Sequence, residues 1–313
     1  MQNLIFCLNA TVPIFLLMVL GFFFRRIGFI RQDFADQINR FVFKAALPVL
    51  LFQDMATSDL TVGWDGAFVA LCFGVSAVSI LSMVLLSRVL DRSIRGEFVQ
   101  GAYRSSVALL GVAFIQNIYG SAGAAPMMIV GAVPLYNIAA VLILALMNPE
   151  VGRLDRAGLA RAFRKVITNP ILLGILAGTL WLLLGLPQPP IFQKTVSSLA
   201  AVATPMGLIG LGASVDVSKA RARLAPALLC SLFKLVVFVA VFLPLAVWLG
   251  YRTDKLVTLL ILLGSSTTSS SYVMARNQGY DGALTANTVM LTTFLSAFTL
   301  TGWLYLLRTF QLI

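Results

Sequence analysis

The sequence predicts an all-α membrane protein of ten transmembrane helices, built as an inverted five-plus-five repeat. Three observations predict it: the composition, an internal echo of prolines and glycines, and the placement of basic residues. Of 313 residues, 59% are hydrophobic and only 11% charged, and the mean hydropathy is +0.93. A soluble domain carries about 25% charge, so a water-exposed globule is excluded. Pro13 and Pro48 stand 35 residues apart, and Pro170 and Pro205 repeat that spacing at a shift of 157. Each removes a backbone donor inside an apolar stretch and bends a helix there. The stretch Phe114 to Gly123 (FIQNIYGSAG) resembles Val273 to Gly282 (VMARNQGYDG) at a shift of 159, aligning Gly120 with Gly279 and Gly123 with Gly282. A unit written twice is common among secondary transporters.

About 20 apolar residues are needed to span a bilayer core. On that measure the first helix covers 4–24 and carries Pro13, and the second covers 34–54 with Lys44 and Pro48. The third, 64–87, is strongly apolar; the fourth, 97–118, is not, and holds Ser105-Ser106, Gly111 and Gln116-Asn117. The fifth, 124–147, contains Pro134, Tyr136 and Asn137. The sixth and seventh follow at 169–186 and 191–214, the latter with Pro205, and the eighth, 225–249, holds Lys234. The ninth, 255–276, contains seven consecutive hydroxyl residues, Ser265 to Ser271, and the tenth covers 283–307. Helices two, four, seven and nine are the less apolar ones, as expected of helices that face a cavity or one another.

Basic residues set the direction of insertion. With the first loop (Arg25, Arg26, Arg31) placed in the cytoplasm, cytoplasmic connections hold 15 Lys/Arg and outer connections four, namely Lys194, Arg252, Lys255 and Arg308. The other four, Arg40, Lys44, Arg104 and Lys234, lie within helices. That asymmetry places both termini on the outer side of the cell inner membrane. Five helices per half is odd, so residues 1–147 and 169–313 insert with opposite orientation around a basic cytoplasmic connection, 148–168. The basic residues form no single amphipathic face, so nucleic acid is not an expected partner despite a net charge of +11.

The chemistry available is narrow. There is no histidine, which excludes imidazole acid–base chemistry and zinc motifs built on it. Cys7, Cys72 and Cys230 fall in apolar segments and read as small buried hydrophobes, with no metal expected. The hydroxyl run of helix nine and the polar stretch of helix four can satisfy backbone groups where a helix unwinds and can bind a polar solute or ion. Small hydroxyl residues also allow close helix packing, which is the competing explanation. Lys44 and Lys234 fall near mid-membrane, while Asp33, Asp36, Asp54, Asp65, Glu97, Asp216 and Asp254 map near helix ends. An interior with fixed positive charge and no deep carboxylate favours an anionic solute. Lys44 either supplies that charge or snorkels along apolar surface, and Lys234 reads as structural. No cofactor is expected, and the coupling ion, sodium or proton, stays open.

The residues assembled here resemble the auxin efflux carrier family, which includes plant PIN-type carriers and bacterial carriers of malonate-like organic acids. Ile38 to Phe52 (INRFVFKAALPVLLF), Ala203 to Ser214 (ATPMGLIGLGAS) and Val273 to Trp303 carry the likeness. The resemblance implies that helices four and nine are broken and cross at mid-membrane, and that a scaffold supports a moving transport bundle. Family members commonly have an Asn and a Pro at the helix-four crossover, which fall here on Ser106 and Ala113. The helix-nine Pro falls on Ser271 and a polar site residue on Thr267. Both crossover prolines are thus replaced in this chain. The resemblance suggests a homodimer, without assigning one.

The expected function is a secondary transporter that moves a small organic anion by alternating access. Ser105, Ser106, Gly111, Gln116, Asn117, Thr267, Thr268 and Ser271 are the expected site residues, with Lys44 and Asn137 behind them. The alternatives are a sodium-coupled bile-acid-type symporter, a channel, and a membrane-embedded enzyme. The last lacks any convincing nucleophile–base set.

Overall fold

The computed structural model describes residues 2–57, 65–107, 115, 118–119, 123–148, 168, 170–214 and 221–313. The apolar stretches fold as helices where the sequence expects them, and no strand occurs among the described residues. The expected connection 148–168 lies almost wholly outside them, as do Gly111, Ala113, Gln116 and Asn117.

The first span is α1, Gln2–Arg26, with Pro13 inside it. The second is α2, Gln32–Phe41, continued by α3, Leu47–Ala56, through a single wide turn at Val42–Ala46. Pro48 explains that turn. It has no N–H for the carbonyl four residues back, so the backbone opens and Leu47 N–H donates to Val42 O, five residues back. Next comes α4, Gly66–Leu86, capped by the Asp65 carboxylate, which accepts from Ala67 N and Phe68 N. A short helix, α5, Arg95–Tyr103, follows, then α6, Ala125–Leu146.

In the second half, α7 is Pro170–Leu183 and α8 is Pro190–Ala213 with Pro205 inside. The next span is α9, Leu224–Leu232, and α10, Phe238–Trp248, joined by another wide turn at Phe233–Val237. No proline causes this one. There Phe238 N–H donates to Phe233 O, five residues back, and Trp303 Nε1 donates to Leu235 O within the turn at 3.0 Å. Then come α11, Thr253–Gly264, α12, Ser270–Asn277, and α13, Ala283–Thr309. Among the described residues, five helical spans are long and apolar enough to cross a bilayer, and α7 is a shorter apolar helix.

Glycines decide which spans come closest. A Cβ on Gly212 of α8 would stand 1.9 Å from Met18 O of α1, and one on Gly21 would stand 2.2 Å from Ile209 O. Gly174 and Gly178 of α7 approach Pro48 O and Phe52 O of α3 in the same way, at 2.3 and 2.4 Å. Only glycine permits such backbone contact between helices. The pairing is reciprocal: the first span packs on the second span of the other half, and the other half's first span packs on the second. Amide–hydroxyl bonds join the second span of each half to the other, Gln53 Nε2 to Ser197 Oγ at 2.9 Å and Asn39 Nδ2 to Ser214 Oγ at 3.3 Å.

Two spans are interrupted. After α5 the backbone turns extended at Arg104 (ψ 128°), and after α11 it does so at Ser265 (ψ 163°). Helix nine is therefore broken over 265–269, and helix four leaves helical geometry at 104–106. The interruptions lie against each other: Ser106 N–H donates to Ser266 O at 3.0 Å.

Candidate functional site

An interrupted helix exposes backbone groups that a bilayer cannot hydrate, so each needs a partner. The side chains flanking the breaks supply many of them. Thr267 Oγ1 donates to Gly101 O at 2.7 Å, while Gln100 Nε2 donates to Ser271 O at 2.9 Å. Thr267 N–H donates to Thr292 Oγ1 of α13 at 3.0 Å. Ser271 N–H and Tyr272 N–H turn back onto Thr268 O and Ser269 O and start α12. Ser105 Oγ bonds Leu262 O and in turn accepts from Lys234 Nζ. Within the hydroxyl run itself, Thr267 Oγ1 is the side chain that serves the backbone, while Thr268 and Ser270 bond each other; Gln100, Thr292, Ser105 and Lys234 supply the other partners, and the break is tolerated here without prolines.

Beside the paired breaks lies a cleft of about 630 Å³ of atom-free space, its open mouth included. One wall is α3, through Leu47, Leu50, Leu51 and Asp54, with Thr204 of α8 next to it. The facing wall is 104–107 and 268–270, with Val133, Tyr136 and Asn137 of α6 completing it. The cleft therefore separates the glycine-packed spans from the interrupted ones.

Arg104 is the decisive side chain. It is 3% exposed and donates to Asn137 Oδ1 at 2.8 Å and to Ser270 Oγ at 3.0 Å, with Met274 Sδ 2.8 Å from Nη1. Asn137 is held for this role by its own Nδ2, which donates to Val133 O at 2.9 Å. Tyr103, stacked at an angle on Tyr136, donates to Tyr136 O and fixes α5 on α6. No carboxylate pairs with Arg104 among the described residues, and its Nε is buried without a hydrogen bond. A guanidinium held by neutral acceptors keeps a charge that no neighbouring carboxylate offsets.

Of the residues singled out from the sequence, Ser105, Ser106, Thr268 and Asn137 line the cleft. Thr267 and Ser271 are buried away from the cleft wall: Thr267 Oγ1 holds the broken backbone through Gly101 O, and Ser271 accepts from Gln100 Nε2 through its own carbonyl. Gly111, Gln116 and Asn117 lie outside the described residues. Lys44 is exposed and is not on the cleft wall. It belongs to the wide turn at Val42–Ala46, whose extra residue rotates it off the face formed by Leu47, Leu51 and Asp54. Lys234, read as structural, is the wholly buried lysine, bonded to Ser105 Oγ and to Leu263 O at 2.8 Å.

The expectation of an interior without carboxylates needs correction. Asp54 maps near a helix end, yet it lines the cleft because the facing spans are broken at that level. Glu97, also near a helix end, is 0% exposed and accepts from Thr285 N and Oγ1 at 2.9 and 2.7 Å. Arg104 itself was legible: an arginine next to Ser105-Ser106 inside an apolar span is costly unless it faces a polar cavity.

A profile described as "Membrane transport protein" matches residues 6–304. The chain belongs to that family. It is the auxin efflux carrier family that the sequence resembles. Within it, the chain is 22% identical over 298 residues to an "Uncharacterized transporter" of Methanothermobacter thermautotrophicus, an alignment covering 94% of this chain and 96% of that one. It is 23% identical over 309 residues to a "Putative malonate transporter" of Rhizobium meliloti, with 96% of each covered. Membership in the membrane transport protein family makes the chain a multi-pass membrane transporter, whose substrate is a small molecule.

Proposed function

We propose that this protein is a secondary carrier of a small organic anion, a mono- or dicarboxylate, working by alternating access in the cell inner membrane. The observation that carries this reading is Arg104: a buried guanidinium at a helix break, on the wall of a cleft, paired with no carboxylate among the described residues. In our reading Arg104 binds the substrate carboxylate, with Ser105, Ser106, Thr268 and Asn137 donating or accepting around it. Gly111, Gln116 and Asn117 would extend the same site on the helix-four side, Thr267 would hold its backbone, and Ser271 would stand behind the wall at the start of α12. Lys44 would act on the approach of anions rather than in the site. The name of the Rhizobium meliloti relative is consistent with a carboxylate cargo.

We read the ten spans as an inverted repeat with both termini outside. The reciprocal glycine packing of the first and second spans supports it. So do Gly123 and Gly282, aligned in the sequence echo, which both take left-handed backbone (φ 49° and 73°) just before a long helix. Two such halves can exchange conformations and so expose one cleft to either side. The glycine-packed spans would form the scaffold and the interrupted ones the moving bundle.

The test is uptake of labelled mono- and dicarboxylates into proteoliposomes. Saturable uptake with counterflow supports a carrier; non-saturating conductance would indicate a channel instead. Lys44→Ala should lower the uptake rate at low salt while leaving the affinity of the site unchanged.

A further inference from the structure

The end of α11 offers a second feature that anion binding does not use. A helix that stops leaves its last carbonyls without N–H partners and concentrates about half a negative charge there. Here that end is buried in the middle of the protein. Its carbonyls are served one after another: Ser265 N–H donates to Ile261 O, Ser105 Oγ bonds Leu262 O, and Lys234 Nζ donates to Leu263 O. Interrupted helices in transporters use such carbonyls to coordinate a coupling sodium ion. In this chain an ammonium stands on one of them, and on the serine hydroxyl that bonds the next.

We propose that Lys234 is a tethered cation that fills the ion position created by the helix-nine break, so that this carrier operates without a sodium ion there. Three features beyond the hydrogen bonds favour a built site. Lys234 is 0% exposed, and no carboxylate lies within ion-pair distance of it among the described residues. The wide turn that carries it, Phe233–Val237, is anchored by a side chain of another span, Trp303 Nε1 donating to Leu235 O at 3.0 Å. Ser105, the hydroxyl it grips, is the neighbour of Arg104. One positive charge therefore holds the two breaks together, while the next residue presents another to the cleft. Lys234 is a positioning residue in this scheme: it touches the backbone ends and Ser105, and the anion touches Arg104.

This inference rests on the carrier reading, and the experiment separates the two. Thermal unfolding in detergent and carboxylate uptake in proteoliposomes are compared in sodium, potassium and choline chloride, for the wild type, Lys234→Met and Lys234→Ala. The expected result is a wild type whose unfolding temperature and uptake do not depend on which cation is present. Lys234→Met, which removes the charge and keeps the length, loses uptake by at least an order of magnitude. In Lys234→Ala the vacated channel admits ethylammonium, which raises the unfolding temperature and restores part of the uptake; the wild type and Lys234→Met do not respond to it. Should Lys234→Ala express poorly, the ethylammonium response of its unfolding temperature still reads the site. A wild type that needs sodium for uptake, or that sodium stabilises against unfolding, overturns the proposal. So does a Lys234→Met protein that transports normally, or a Lys234→Ala protein indifferent to ethylammonium. A wild type that takes up no carboxylate in any salt refutes the carrier reading instead, and the unfolding measurements then decide Lys234 alone.

Discussion

Replacing Arg104 by Gln should weaken anion binding severely while leaving the fold in place. Gln keeps an amide donor that can reach toward Asn137 Oδ1 or Ser270 Oγ, which now accept at 2.8 and 3.0 Å. It removes the charge and the free Nε donor. Truncating one member of a buried charge pair costs about 2–5 kcal/mol in complexes of this kind. Taking about 2–4 kcal/mol, and a factor of ten for each 1.4 kcal/mol, the dissociation constant for a carboxylate should rise roughly 30- to 1000-fold. Stability should move much less, because the desolvation cost of a buried guanidinium disappears with it. Arg104→Lys keeps the charge but loses the fork, and should fall between the two. Equilibrium binding of a labelled carboxylate to purified protein measures the first effect and thermal unfolding the second. A folded Arg104→Gln protein that binds the anion as the wild type does would refute the reasoning.

Three further outcomes follow from the same structure. Asp54→Asn removes an ionisable carboxyl from the cleft wall and should tighten carboxylate binding by up to about 1–2 kcal/mol, most at alkaline pH where that carboxyl is charged, read as a lower dissociation constant at constant ionic strength. Gly212→Val forces a side chain into the space where a Cβ stands 1.9 Å from Met18 O, and should destabilise the protein by about 1–3 kcal/mol in detergent unfolding, whereas Gly302→Ala, with no atom within 4 Å, should be near neutral. Asp65 is held below the usual carboxylate range by the hydrogen bond from Lys255 and then by Phe68 N–H. Because its folded value is depressed, its stabilisation is present above the unfolded value of about 3.9 and is lost as pH falls through the folded one, so the difference in unfolding temperature between wild type and Asp65→Ala should shrink below pH ~4.

Much of the fold is legible in the sequence because the bilayer forces it to be. A span must be apolar and about 20 residues long, so the limits of α4, α6, α8 and α13 follow from composition alone. The hydroxyl run from Ser265 marks the break in helix nine because so polar a stretch fits only where a span is shielded from lipid; the partners of the freed backbone come from Thr267 within it and from Gln100, Ser105, Lys234 and Thr292 on other spans. What is not legible is rotation about a helix axis. Lys44 and Lys234 look alike in sequence, yet a wide turn carries each to a different fate, one exposed and one buried against Ser105. The turn at Val42–Ala46 is foreshadowed by Pro48. The one at Phe233–Val237 contains no proline and is bonded by Trp303, 68 residues away along the chain, and no local pattern announces it. Asp54 and Glu97 were misjudged because nearness to a helix end was equated with exposure to water. In a bundle with interrupted spans, an end can lie inside.

Alternating exposure of the Arg104 cleft is the central claim, and accessibility of one cleft position from both sides of the membrane tests it most directly. Ser269, on the cleft wall, is replaced by cysteine in a protein whose Cys7, Cys72 and Cys230 are changed to alanine. A membrane-impermeant thiol reagent is then applied to either face of oriented vesicles. The account predicts labelling from each face in turn, slowed from both by a bound carboxylate. Labelling from one face only, or labelling that no carboxylate slows, would contradict it.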